Sequence, residues 1–383
     1  MDQTSINGFL ASTLRRLRAG DRAPWPEQND ASWQDVWARI EYHGIVMLLH
    51  SHAQALTGWP PRLLERIAEE ARLIGLWEST HRALIAEAVE ALAQAGIASV
   101  MMKGTALAYA FHADPADRRR GDSDLLIRPE DADKARTTLA ALGWHRRDDP
   151  HGLNYQEGWL HPAAGFFEHA IDLHWQPSDR PVLRSRLPQS DFFVHRVALP
   201  RLSPNASRPA TSTMLLHAAI NQKWHREHGY FAESGRVTGA RRLIWSVDFD
   251  LLAAAMNSDD WETLAARCEK RRCAALVAEA LDGATRDLGT SVPPDVARRL
   301  ACEPLDRDLA ILFGSRDPVS QFLLDLRTAD WGERLRLVRY RGLPPRKHLL
   351  TRYPQARNWP TALLQIRWLA DSARRALRKA AAQ

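Results

Sequence analysis

The sequence predicts an α+β protein in which a small mixed β-sheet core is framed by helical N-terminal and C-terminal parts. Three observations carry this expectation. Residues 97–175 alternate short apolar runs with helix-forming runs, the order that builds a small sheet with crossover helices. The chain before residue 95 and after residue 211 instead repeats its apolar residues at helical spacing. Asp122, Asp124 and Asp172 each stand in a short apolar run, where a strand sends alternate side chains to one face.

Five regions follow: a helical region 1–95, a core 96–178, a linker 179–210, a helical part 211–330 and a basic helical tail 331–383. In the first, helices are expected over 7–19, 32–51 and 62–95, separated by Pro24-Trp25-Pro26 and Pro60-Pro61. The core reads as strand 97–102, helix 106–111, strand 123–127, helix 130–142, strand 144–147 and strand 166–175. Pro181, Pro188, Pro200, Pro204 and the turn former Asn205 break any long element in the linker, leaving short strands or turns. Beyond it, Leu243, Val247 and Leu251 recur at helical spacing, and two more helices fit between Trp261 and Leu288, before Pro293-Pro294. A last helix is expected over 361–379.

Composition bounds the class. With 383 residues, 45% hydrophobic and 26% charged, the chain is of ordinary globular kind and disorder is not the default. No apolar stretch is long enough to span a bilayer, and Met1-Asp2-Gln3-Thr4-Ser5 does not open a signal peptide, so a cytoplasmic location is expected. Cys268, Cys273 and Cys302 follow no Cys-x-x-Cys or disulfide spacing and read as reduced, buried, small apolar residues. His225 and His228 lie about one turn apart, but without His-Glu-x-x-His or paired thiols no zinc is expected.

The net charge of +6 conceals an asymmetry: residues 331–383 hold 13 Lys/Arg against two acidic residues, +11, leaving −5 for the rest. Arg334, Arg336, Arg339, Arg341, Arg346 and Lys347 could meet a polyanion (nucleic acid, an anionic membrane surface or an acidic peptide) or form a solvated helical face. Trp359, Leu363, Leu364, Ile366, Trp368 and Leu369 make the last segment amphipathic. No nucleic-acid-binding motif accompanies the charge.

The carboxylates carry the chemistry. An unpaired ionised side chain inside an apolar strand costs several kcal/mol, so something positive is required there. On one strand Asp122 and Asp124 face the same side, with Asp172 available from a neighbour; Mg2+ takes such oxygen ligands together with substrate phosphates. For a lone Asp-x-Asp, backbone amides in a turn would serve equally well. The third aspartate and the run Met102-Lys103-Gly104-Thr105 favour the metal. A glycine at a strand-to-helix junction lets the backbone approach a ligand, and free helix amides attract an anion. Lys103 offers a point charge to a triphosphate; Thr105 offers a hydroxyl or a helix cap. Arg118, Arg119 and Arg120 lie near enough to contact phosphates, or form a solvated loop. Asp248 and Asp250, two apart on a helix, do not face each other and read as surface charge. His217 and Asn221, one turn apart beside Lys223, either line the cleft or belong to the core, and they stay outside the predicted site.

Together these residues resemble the polymerase-β-like nucleotidyltransferase superfamily, and more closely its uncharacterised bacterial branch. The matching text is residues 102–108, 118–127, Pro129-Glu130-Asp131, Leu142-Gly143-Trp144, Ile171-Asp172-Leu173-His174-Trp175, His217 within 215–219, and 242–252. It covers about residues 60 to 300. The wider superfamily has Gly-Gly or Gly-Ser where this chain has Gly104-Thr105, and the interval to Asp122 is longer than usual, as it also is in that branch.

The resemblance implies a nucleotidyltransferase core in which Asp122 and Asp124 bind two Mg2+ ions, with Mn2+ able to substitute. Asp172 would hold the catalytic metal and help deprotonate the acceptor, with Glu168 as the next candidate. Lys103, Gly104, Thr105, Arg118 and Arg120 would bind the nucleotide. The implied reaction moves an NMP, AMP from ATP, onto a hydroxyl or similar group of a small-molecule, peptide or protein acceptor and releases pyrophosphate. The rival is a non-catalytic nucleotide-binding or interaction protein that keeps the fold; the presence of all three carboxylates speaks against it.

Overall fold

The computed structural model describes residues 3–26, 32–147, 155–162, 167–232, 235–237, 241–315 and 317–380. Four helices precede the sheet: α1 (Gln3–Arg18), α2 (Trp33–His43), α3 (Val46–Ser51) and α4 (Pro61–Gln94). The helix expected over 32–51 breaks at Gly44, whose φ of 69° is a left-handed cap that a side-chain-bearing residue resists. Ser32 caps the start of α2, accepting from the Asp35 amide. Pro61 opens α4 at the position where a missing amide costs nothing.

The sheet follows as β1 (Val100–Met101), α5 (Lys103–Phe111), β2 (Ser123–Leu126), α6 (Ala132–Ala141), β3 (His145–Arg146), β4 (Gln156–His161) and β5 (His169–His174). Its order is β1-β2-β5-β4-β3, with β2 and β5 parallel and every other pair antiparallel. The strands and α6 are shorter than their apolar runs suggest, β1 ending at Met101, whereas α5 begins earlier than expected, at Lys103 rather than at Ala106. Residue 166, where the last strand was expected to start, lies outside the described residues. Strand β4 has no counterpart in the sequence reading: its Gly158 and half-buried polar residues hide the alternation.

Residues expected to form a linker fold into α7 (Pro181–Arg186), α8 (Ser190–Val194) and a hairpin of β6 (Val197–Ala198) with β7 (Ser207–Arg208). Val182, Leu183 and Phe192 from this stretch are buried in the main core. The later chain runs α9 (Thr211–His228), hairpin β8 (Tyr230–Ala232) and β9 (Gly235–Val237), α10 (Leu243–Ala254), α11 (Ser258–Lys270), α12 (Ala274–Leu288), α13 (Pro294–Ala301), α14 (Arg307–Gly314), α15 (Pro318–Thr328), α16 (Trp331–Gly342), α17 (Arg346–Arg352) and α18 (Thr361–Ala380).

Two large apolar clusters hold this together. One joins the sheet to α5, α9, α11 and α12; the other joins α1 to α3 with Leu243, Ile244 and Val247 of α10. The 34-residue α4, about 50 Å long, serves both, with Leu63, Ile67 and Ile74 in the N-terminal cluster and Ile85, Val89 and Leu92 under the sheet. Helices α9 and α10 therefore face the strand edge carrying the aspartates, and a cleft opens between them.

Candidate active site

Strand alternation sets the carboxylates. Ser123 is fully buried beneath the sheet, where its hydroxyl meets His81 Nε2 at 2.8 Å and Thr105 Oγ1 at 2.7 Å. Asp122 and Asp124, on either side of it, line a cavity of 450 Å³. The parallel register of β2 and β5 puts Asp124 directly opposite Asp172, which lines the same cavity. On the far side of β5, Gly158 stands opposite Asp172, and a Cβ there would lie 3.6 Å from Asp172 Oδ1.

Three carboxylates in one partly dry place oppose each other. Burial, followed by the charges of Asp124 and Asp172, pushes the Asp122 carboxyl up to about 7. Asp172 is raised too, first by burial and then by Asp124. Asp124 goes the other way. Burial alone would raise it, but Lys103 and His174 outweigh that and hold it well below the usual carboxylate range. Lys103 Nζ lies 2.5 Å and His174 Nε2 3.0 Å from Asp124 Oδ1. Ligand atoms of Asp124, Asp172 and His174 lie within 4.8 Å of one another, the sole such group found among the described residues. His174 was absent from the predicted site, yet it stands two residues after Asp172 on the same strand face. The alternation that pairs Asp122 with Asp124 was the signal for it.

The phosphate-binding candidates divide. Lys103 and Gly104 line the cleft at the start of α5. The left-handed backbone there belongs to Lys103, at φ 46°, and not to the glycine. Thr105 is buried away from the cleft, its Oγ1 accepting from Arg120 Nε at 3.0 Å. Arg120 also pairs with Glu78 at 2.8 Å. Arg118 lines the cleft but gives its guanidinium to Asp248 in two bonds of 2.7 and 2.8 Å. Asp248 and Asp250 are thus not surface charges. Both are buried, Asp248 on Arg118 and Asp250 on Arg18 and the Thr290 hydroxyl, because α10 is covered on opposite sides. Glu168 is exposed and paired with Arg147. Cys302 is likewise exposed, unlike the buried Cys268 and Cys273.

The opposite wall is α9 and α10. His217, Asn221, Trp224, His225 and Trp245 face the cavity, the first four along one side of α9. Burial, then the Lys103 charge, pushes the His217 imidazole down to about 3, so it is neutral at ordinary pH, able to donate at one nitrogen and accept at the other. The cleft therefore has an acidic strand edge with a lysine and helix N-terminus beside it, and an aromatic, neutral polar wall across from it.

A strand-borne carboxylate set beside a helix N-terminus, on a small mixed sheet, is the arrangement that the sequence resemblance to nucleotidyltransferases implies. A family profile described as uncharacterised nucleotidyltransferase matches residues 29–288, and the chain belongs to that family. No curated protein matches the chain. Among solved structures, the chain is similar to an antigenic nucleotidyltransferase-like protein from Paracoccidioides brasiliensis, at 13% identity and a TM-score of 0.36, over 60% of this chain and 95% of that one. That likeness is too slight to bear on function.

Proposed function

We propose that the chain is a Mg2+-dependent nucleotidyltransferase that moves AMP from ATP onto a hydroxyl or similar group of a small-molecule, peptide or protein acceptor, releasing pyrophosphate. The observation that carries this reading is the pairing of Asp124 with Asp172 across parallel strands, with Asp122 beside them, on the floor of a cleft of nucleotide size.

The donor set suits hard divalent cations. Burial first, and then the charge of Asp124, raise Asp122 and Asp172, a state that a divalent ion relieves. When bound, Mg2+ supplies charge neutralisation at the entering and leaving oxygens and makes the acceptor hydroxyl more acidic. Asp122 and Asp124 would hold the ions, and Asp172 would hold the catalytic ion and orient the acceptor hydroxyl or take its proton. His174 fixes the rotamer of Asp124. Lys103 and the amides opening α5 receive phosphate oxygens. Arg118 and Arg120, whose guanidinium groups are committed to Asp248 and Glu78, act on the nucleotide by holding the loop that carries Asp122. The neutral pair His217 and Asn221, with Trp245, supplies stacking and a donor-acceptor edge suited to a nucleobase.

Calorimetric titration of each of the four NTPs with and without Mg2+ tests the reading, on wild type and on Asp122→Asn and Asp124→Asn. Saturable ATP binding that needs both Mg2+ and the two aspartates is expected. Asp172→Asn should still bind nucleotide but lose on the order of 100-fold in turnover. Absence of binding by any NTP would leave a non-catalytic interaction protein with this fold.

A further inference from the structure

The surface of the last 65 residues is built differently from the rest of the molecule. Fourteen large apolar side chains are exposed among the described residues, and ten of them lie between Val319 and Leu369. They are not scattered. On α15 they are Val319 and Leu323; on α16, Trp331, Leu335 and Val338, at i, i+4 and i+7; on α18, Leu363, Ile366 and Leu369, preceded by Trp359. Each set makes one stripe along its helix.

In α18 the outward face is apolar as well as the inward one. The outward face holds Leu363, Ile366, Leu369, Ala362, Ala370 and Ala373. Leu364 and Trp368 turn inward, onto the small cluster of Leu349, Tyr353 and Ala356, with Asp371 accepting from the Tyr353 hydroxyl beside them. Exposed Arg336 and Arg339 border the stripe of α16. Within this segment lies the local charge of +11.

An occupant must satisfy both properties. A phosphodiester backbone uses the arginines but has nothing for Leu363 or Ile366. A second copy of this chain brings the same +11 and is repelled. An anionic bilayer offers lipid phosphates at the depth of the arginines and acyl chains just beneath for the aliphatic stripes, with tryptophans at the boundary between them.

We propose that α16 and α18 form a peripheral binding surface for anionic lipid membranes. The surface is tied to the catalytic cleft. The buried face of α16 presents Glu333, which accepts from the Tyr155 hydroxyl at 2.9 Å and pairs with Arg184 of α7, whose neighbours Arg180, Leu183 and Leu187 line the cavity. Docking therefore sets the cleft at a defined height and angle to the lipid surface, which suits an acceptor presented at that surface.

The test is cosedimentation of the full chain with phosphatidylcholine vesicles, with and without phosphatidylglycerol, at low and high salt. Binding to the anionic vesicles alone, weakened by salt and accompanied by a blue shift of tryptophan emission, is expected. The triple variant Leu363→Ser/Ile366→Ser/Leu369→Ser changes exposed positions only, so its thermal melt should match wild type while its partitioning falls about tenfold or more. Equal binding to neutral and anionic vesicles, or a triple variant that binds like wild type, overturns the proposal. So does an absence of vesicle binding, whether accompanied by concentration-dependent dimerisation, which identifies a second copy as the occupant, or by RNA binding that survives the triple substitution. None of these readouts depends on nucleotide transfer.

Discussion

At Lys103 the backbone and the side chain carry opposite signs of energy. The left-handed φ of 46° is unfavourable for any residue with a Cβ, by about 1 kcal/mol, and the ammonium offsets it by reaching Asp124. Two substitutions separate these effects. Lys103→Gly and Lys103→Ala should lose nucleotide affinity alike, but the glycine variant should be the more stable in urea unfolding by about 1 kcal/mol. Equal stabilities would mean that the junction relaxes. A similar argument applies to Arg118 and Asp248, both buried and joined by two hydrogen bonds. Arg118→Ala or Asp248→Ala strands a buried charge and should cost about 3–5 kcal/mol each. The double variant should cost much less than their sum, which a double-mutant cycle in urea measures.

Among the elements, the joint between α2 and α10 depends on a neutral histidine. His43 Nδ1 accepts the Leu243 amide at 3.1 Å and Nε2 meets Asn7 Oδ1 at 2.8 Å, so the ring has a place for one proton, on Nε2. Burial and then the charges of Arg39 and Arg242 push it down to about 3. Below about 6.5 the unfolded chain takes up a proton that the folded chain refuses, so this contribution to stability is whole above 6.5 and is lost as pH falls toward 3. Urea unfolding across pH 4–7 should show stability dropping by up to about 1.4 kcal/mol per unit from this group, with the His43 ring signals unchanged in the native NMR spectrum. A native titration near 6.5 would refute the assignment. The sheet makes a second point at this scale. Alternation in 122–124 was legible because the apolar run Leu125-Leu126-Ile127 follows directly, whereas β4 was not, since its glycine and half-buried polar residues leave no period to read.

For the whole molecule, the cleft exists because distant segments converge on it: β2 and β5 for the carboxylates, α5 for the lysine, α9 and α10 for the opposite wall. Ligand binding should therefore stabilise the fold as a unit. Mg2+ with ATP at about 100 times its dissociation constant should add about 2.7 kcal/mol, seen as a raised Tm that chelation with EDTA abolishes and that Asp124→Asn does not show. A shift that persists in EDTA would separate nucleotide binding from the metal.

The sequence by itself determined the α+β class, the order of strands and helices through the core apart from β4, the shared face of Asp122 and Asp124, and the reversal of charge at residue 331. These are local properties, set by side-chain periods of 2 and 3.6 and by composition. Only the tertiary structure decided that Asp172 stands opposite Asp124 with His174 beside it, that Thr105 turns inward, and that Arg118 and Arg120 belong to Asp248 and Glu78. It also decided that the tail helices turn their apolar faces outward. The carboxylate pairing depends on strand register, Arg118 and Arg120 find partners 130 and 42 residues away, and Thr105 and the tail helices depend on how neighbouring elements pack; local sequence periodicity carries no information about which distant charge will neutralise a buried one.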